Sequence, residues 1–278
     1  MIGQKKLKDL CERWKTEPMP GLLILAGDKG YGKKTAVEYI RKNVPNDGRL
    51  RAEDNSVATV RAVIDKSYAL GGNIFYVFVD CDNMSVAAKN ALLKVMEEPP
   101  NGARFILTVK NLYSLLPTIV SRAFVYQMNQ YTMDELKQFA QEQGNEKVSS
   151  LLGECFLLCP GDILWAAQNV DLCTDMIEYA DNVVKYINEA TQANVLKIST
   201  KLDLKGDDPT KYPIDYFLRL LRIGYFKAYV ASEELRDFTC AQRVEMATMQ
   251  LRILAASKQN IIDTMLLDLR RTARGEDL

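Results

Sequence analysis

The chain has 278 residues, 47% of them hydrophobic and 26% charged, which is enough apolar content for one to three compact units with real cores. Its 36 basic and 36 acidic side chains cancel, so net charge singles out no partner, although a locally basic face is compatible with a neutral total. Histidine is absent, which excludes His-based triads and His general bases, and no apolar run approaches the roughly 18 uninterrupted residues of a membrane span.

From the N-terminus, MIGQKKLKDLCERWK reads as an amphipathic helix and not a signal peptide, because no apolar segment follows its lysines; a cytoplasmic protein is expected. GLLILAGD (21–28) reads as a buried strand that ends in glycine, with a helix from Lys33 to Asn43. SVATVRAVIDKSYAL (56–70) places Val57, Val60, Val63 and Ile64 on one helical face, and IFYVFVD (74–80) is a second strand. SVAAKNALLKVMEE (85–98) reads as a helix stopped by Pro99-Pro100. ARFILTV (103–109) and RAFVYQ (122–127) are two further strands. Strand–helix alternation of this kind predicts right-handed βαβ units and a mainly parallel sheet.

After Tyr131 no strand is expected. Helices are read at TMDELKQFAQEQG (132–144), 146–158, 161–170 and 172–197, followed by a linker-like KLDLKGDDPTKYP. DYFLRLLRIGYFKAYV (215–230) is apolar nearly all round and should centre a helical bundle completed by helices near 240–256 and 259–271. The six cysteines (Cys11, Cys81, Cys155, Cys159, Cys173, Cys240) include no Cys-x-x-Cys pair, so no zinc or other metal site is expected. Cys155 and Cys159 read as a packed core pair.

The candidate site begins at Gly27-Asp28-Lys29-Gly30-Tyr31-Gly32-Lys33-Lys34-Thr35, between a buried strand and a helix. In that setting backbone N–H groups and the helix N-terminus surround a phosphate, and a lysine reaches its outer oxygens. Gly27, Gly32 and Lys33 satisfy G-x-x-x-x-G-K, with Gly30 a further glycine of the loop. The next residue should be Ser or Thr, whose hydroxyl holds Mg²⁺, and here it is Lys34. Thr35 does not simply replace it, because one helical residue turns a side chain by about 100°. ATP or ADP binding therefore stays open, with fast hydrolysis not expected. Hydrolysis in this class also needs Asp then Glu at the end of a second strand. Read back from the following helix, Val79 falls at the metal position and Asp80 at the base position; a slip of one residue puts Asp80 and Cys81 there instead. Asp80 and Asp82 thus form a degenerate acidic site in either register.

Asn90 to Pro100 (NALLKVMEEPP) closely resembles the NALLKxLEEPP helix of bacterial DNA polymerase III clamp-loader subunits. Phe105–Thr108 and then Leu116-Pro117-Thr118-Ile119-Val120-Ser121-Arg122-Ala123 resemble their FIL…LLPTIxSRC stretch, and 56–80 resembles the region just upstream. The resemblance spans about 20–127 and is greatest to the delta-prime type. It implies an AAA+ α/β P-loop parallel-sheet domain (1–128), a small helical lid (129–171) and an all-α collar (172–278). It also implies a subunit of a replication clamp loader that hydrolyses ATP weakly or not at all and offers Arg122 in trans as an arginine finger to a neighbour's ATP. The partners implied are other clamp-loader AAA+ subunits in a hetero-oligomeric ring, the sliding clamp and primed DNA, and no membrane. Departures are Ala123 for the motif's cysteine, no four-cysteine zinc module, Leu164 where a lid sensor arginine stands in active relatives, and Val109 or Lys110 near the polar sensor after the fourth strand. Of the helix 85–98 that faces DNA in relatives, only Lys89 and Lys94 are basic. An active AAA+ ATPase with a divergent site and an AAA+-derived scaffold, of phage or divergent bacterial source, are the alternatives.

Overall fold

The computed structural model describes residues 2–97, 99–100, 102–143, 146–154, 156–253 and 257–276. The chain folds into two compact units, Met1–Phe139 with Cys159–Asp162, and Ala140–Leu158 with Ile163–Leu278.

In the first unit, α1 (Lys5–Arg13) precedes β1 (Leu22–Ala26), α2 (Lys33–Asn43), β2 (Gly48–Arg51), α3 (Val57–Leu70) and β3 (Ile74–Phe78). Then come α4 (Val86–Glu97), β4 (Arg104–Val109), the single turn α5 (Pro117–Val120), β5 (Phe124–Gln127) and α6 (Met133–Glu142), which runs past the unit's boundary. The five strands form one parallel sheet in the order β2-β3-β4-β1-β5. Successive strand residues point to opposite faces, and the core divides accordingly. Leu22, Ile24, Tyr76, Phe78, Phe105 and Leu107 pack on one face with Val60 and Val63 of α3 and Ala88, Leu92 and Val95 of α4. Leu23, Leu25, Phe75, Val77 and Ile106 pack on the other with Leu7 and Leu10 of α1 and Ala36, Val37 and Ile40 of α2. Burial on both faces is why these strands read as continuous apolar runs. The parallel α/β sheet is the one expected.

β2 was not foreseen. GRLR offers one apolar residue, and the strand lies at the sheet edge with Arg49 and Arg51 exposed, so it is too short and too polar to stand out as a strand.

In the second unit, α7 (Glu146–Leu151) is followed by a 3-10 turn, Leu152–Glu154, so the single helix expected over 146–158 is shorter. Next come α8 (Pro160–Gln168), which begins within the first unit, α9 (Val170–Tyr186) and α10 (Gln192–Thr200). The expected single helix at 172–197 is therefore two, because the Thr191 side chain accepts the Asn194 N–H and starts α10 afresh. The linker-like stretch contains β6 (Leu202–Asp203) and β7 (Tyr212–Pro213), paired in parallel, where no strand was expected. Its turn is closed by Asp203, whose carboxylate accepts the N–H groups of Gly206, Asp207 and Asp208. α11 (Ile214–Ser232) packs on α9 and on α12 (Leu235–Ile253), and α12 packs on α13 (Lys258–Ala273), which also meets α10. Phe217, Leu218, Leu221 and Tyr225 of α11 are buried, whereas Phe226 and Val230 near its end are exposed. Cys159 is buried; Cys155, its expected partner, lies outside the described residues. No helix among the described residues is long and apolar enough to cross a membrane.

Candidate functional site

The loop between β1 and α2 leaves the C-terminal end of a central strand, where open α/β sheets bind ligands. Gly30 (φ +86°) and Gly32 (φ +81°) both take the left-handed region, Gly32 as the N-cap of α2, so glycine meets a backbone requirement at each. Lys33 does not point free into the loop. Its ammonium donates to the carbonyls of Gly27 (2.5 Å) and Asp28 (3.0 Å), and the residue is buried. Burial pulls the Lys33 pKa below its usual value, opposed by the nearby charges of Asp80, Asp82 and Asp28. Lys34 and Thr35, the next two residues of α2, are exposed.

Three further groups close on the loop. The Tyr131 hydroxyl donates to the Tyr31 carbonyl at 3.0 Å, with the two rings 5.8 Å apart. The Gly161 N–H donates to the Gly30 carbonyl at 3.1 Å. The Cys159 thiol lies against the same stretch, 3.8 Å from the Lys29 carbonyl. The sequence did not reveal these contacts with the loop, and nothing in the periodicity marks Tyr131. Gly27 also sits tight, since a Cβ there would fall 2.8 Å from Cβ of Met128.

The acidic residues follow β3. Asp80 adopts φ +56°, ψ +49°, a left-handed conformation uncommon outside glycine. Three hydrogen bonds hold that turn: the Asp80 N–H donates to the Thr108 hydroxyl (2.9 Å), and the Asn55 amide donates to the carbonyls of Val79 (2.9 Å) and Asp80 (3.1 Å). Thr108, inside β4 and one residue before the positions considered for a polar sensor, is fully buried. The Asp80 carboxylate faces Lys34, Oδ2 to Nζ 3.6 Å. Asp82 has a different employment. One oxygen accepts the Lys110 N–H (2.7 Å), and the other accepts the Asn111 N–H (2.9 Å) and the Ser114 hydroxyl (3.0 Å), which fixes the chain after β4. The structure thus brings Gly27, Gly30, Gly32, Lys33, Lys34 and Asp80 to one end of the sheet.

Arg122 lies at the other end. The sheet is parallel and Leu23 pairs with Phe124, so Arg122 precedes the start of β5 while Gly27 follows the end of β1. The four strand residues Leu23 to Ala26 span about 10 Å, and the arginine and the loop lie beyond that span on opposite sides. Arg122 is exposed, and its guanidinium donates to the Thr118 carbonyl of α5 at 3.0 Å.

Residues 11–132 match the family model described as DNA polymerase III, delta subunit. Over 218 residues the chain is 25% identical to the replication factor C small subunit of Methanosphaera stadtmanae, covering 72% of this chain and 68% of that one. It is 27% identical over 187 residues to DNA polymerase III subunit tau of Bacillus subtilis, covering 58% of this chain but only 33% of that longer protein. These matches make the chain similar to clamp-loader AAA+ proteins. Its fold is also that of Thermotoga maritima RuvB, with a TM-score of 0.51 at 15% identity over 67% of this chain and 76% of that one.

An AAA+ protein implies a nucleotide and Mg²⁺. For the phosphates, the glycine loop and the start of α2 are in place in this clamp-loader-like chain, with Lys33 turned onto the loop's own carbonyls. For the metal, the residues do not fit. The hydroxyl position is Lys34, the Asp80 carboxylate faces that lysine, and Asp82 is used by backbone N–H groups. Among the described residues no group of three or more Asp, Glu, Cys or His side chains is placed to hold a metal ion. Leu164, where active relatives carry a lid arginine, is exposed on α8.

Proposed function

We propose that the chain is a delta-prime-like clamp-loader subunit that does not hydrolyse ATP itself and supplies Arg122 in trans to the nucleotide of a neighbouring ATPase subunit. The observation that carries this reading is the placement of Arg122 across the sheet from its own phosphate loop. A guanidinium beyond the N-terminal end of β5 serves another molecule's phosphoryl group or none, and its exposure beside α5 leaves it accessible to one. The loss of the Mg²⁺ hydroxyl at Lys34 and of a usable acidic pair at Val79-Asp80 supports the non-hydrolysing half of the reading.

Its partners are then the other AAA+ subunits of a cytoplasmic clamp loader, the sliding clamp and primed DNA. Lys89 of α4 is buried and only Lys94 of the two lysines reaches solvent, so α4 carries little charge for a phosphate backbone. The test is ATP turnover by the reconstituted loader with Arg122→Ala in this chain. Loss of an arginine finger should lower turnover at the one neighbouring site by about 10³-fold or more. Unchanged turnover in an assembled complex would remove the finger, and failure of the chain to join loader subunits would remove the reading altogether.

A further inference from the structure

We infer that Lys34 occupies the place of the divalent cation, so that the phosphate loop of this chain is a site from which its own ammonium excludes Mg²⁺. Two independent features meet at this point. The loop motif sets the residue after Gly32-Lys33 as the one whose side chain reaches the metal, and here that side chain ends in a positive charge. The carboxylate at the end of β3, the group that would draw a divalent ion to this end of the sheet, faces the same ammonium at 3.6 Å.

Mg²⁺ demands near-ideal octahedral oxygen ligands at about 2.0–2.1 Å and gives up its waters reluctantly. An ammonium beside the Asp80 carboxylate takes up that carboxylate's charge and repels the ion besides. Asp82 offers no substitute, because three donors already occupy its two oxygens. The pair adds little to stability, since both side chains are more than half exposed. Its consequence is for occupancy: the protein carries one fixed positive charge where active relatives recruit two mobile ones. This holds whether or not Arg122 acts on a neighbour, and it is tested on the isolated full-length chain.

The experiment is Mn²⁺ binding followed by electron paramagnetic resonance, with and without ADP, for the wild-type chain, Lys34→Thr, Lys34→Ser and Lys34→Thr/Asp80→Asn. The wild type should retain no Mn²⁺ beyond the protein-free Mn²⁺–ADP control. Each hydroxyl variant should gain Mn²⁺ affinity by about tenfold or more, from relief of the like charge and return of an oxygen ligand. Asp80→Asn in the Lys34→Thr background should abolish the gain. Position 34 is exposed, so far-UV circular dichroism melts of the single variants should coincide with wild type. Wild-type Mn²⁺ binding as tight as that of Lys34→Thr would overturn the inference. So would two folded hydroxyl variants that gain nothing, or a gain indifferent to Asp80→Asn.

Discussion

At Gly161 the reason for glycine is an approach between two backbones. A Cβ there would collide with Cα of Gly30, and one at Gly30 would fall 2.6 Å from the Cys159 sulfur. Backbone atoms cannot swing aside as a side-chain tip can, so the clash must be relieved by moving the loop. Gly161→Ala should therefore destabilise the first unit by about 1–3 kcal/mol, the usual cost of overpacking. Gly153→Ala is the control, because a Cβ at Gly153 meets nothing within 4 Å. Urea midpoints measure both. Equal midpoints for Gly161→Ala and wild type would mean that the backbone contact contributes nothing. The same contact explains part of what the sequence hid. The loop glycines announce a phosphate cradle through their spacing, but their second use, as a socket for residues 159–162, joins segments about 130 residues apart and leaves no local pattern. Asp82 is similar. As a letter beside Asp80 it reads as half of an acidic pair, and only its three donors, brought from beyond β4, reveal an anchor.

Among the elements, legibility followed the number of buried faces. β1, β3 and β4 are buried on both sides and declare themselves as apolar runs, and α4 declares itself through strong formers and the proline stop. β2 has no such signal at the sheet edge, and β6 and β7 are two residues each, with only Leu202 and Tyr212 deeply buried. The break between α9 and α10 was masked because Asn188 to Thr191 interrupts a periodic pattern that resumes immediately. The cap carries that break. Thr191 is extended at φ −71°, ψ 157°, and its hydroxyl accepts the Asn194 N–H at 3.3 Å. Thr191→Ala should cost the second unit about 0.5–2 kcal/mol and Thr191→Ser much less, since serine keeps the acceptor. Thermal melts of the two variants decide this; equal losses would show that the hydroxyl is not the group responsible. The local pattern also named Lys34 as an anomaly. It could not show what an ammonium would do there, because Asp80, its partner, is brought up by a different strand.

Across the whole molecule, the buried thiols should make the fold lose stability in alkali. Cys11, Cys81, Cys159 and Cys173 are free and buried. Burial raises their thiols from the ordinary 9.0, to about 11 for Cys11 and about 12 for the other three. Above pH 9 the unfolded chain ionises these thiols while the folded chain keeps its protons, so the folded state binds more protons and stability falls as pH rises. The loss begins near 9.0 and ends once pH passes the folded values. Three of the four thiols belong to the first unit. At about 1.4 kcal/mol per thiol per pH unit, that unit should lose about 4 kcal/mol between pH 8 and pH 10. Lys33 works the other way: its pKa is lowered by burial, so its unfavourable protonation is relieved as pH rises towards 10.5. One lysine cannot offset three thiols. Since a domain is stable by only about 5–15 kcal/mol, a loss of this size moves the first unit close to unfolding. Urea melts in reducing buffer at pH 8 and pH 10 measure the loss, and Cys11→Ala/Cys81→Ala/Cys159→Ala separates its cause. The triple variant starts from lower stability at pH 8 because each substitution leaves unfilled space, but its further loss to pH 10 should be small. If wild type and triple variant fall by the same amount, the thiols are not what limits the fold in alkali. The slope then belongs to other groups, such as the buried Tyr76 and Tyr126, whose pKa values burial also raises.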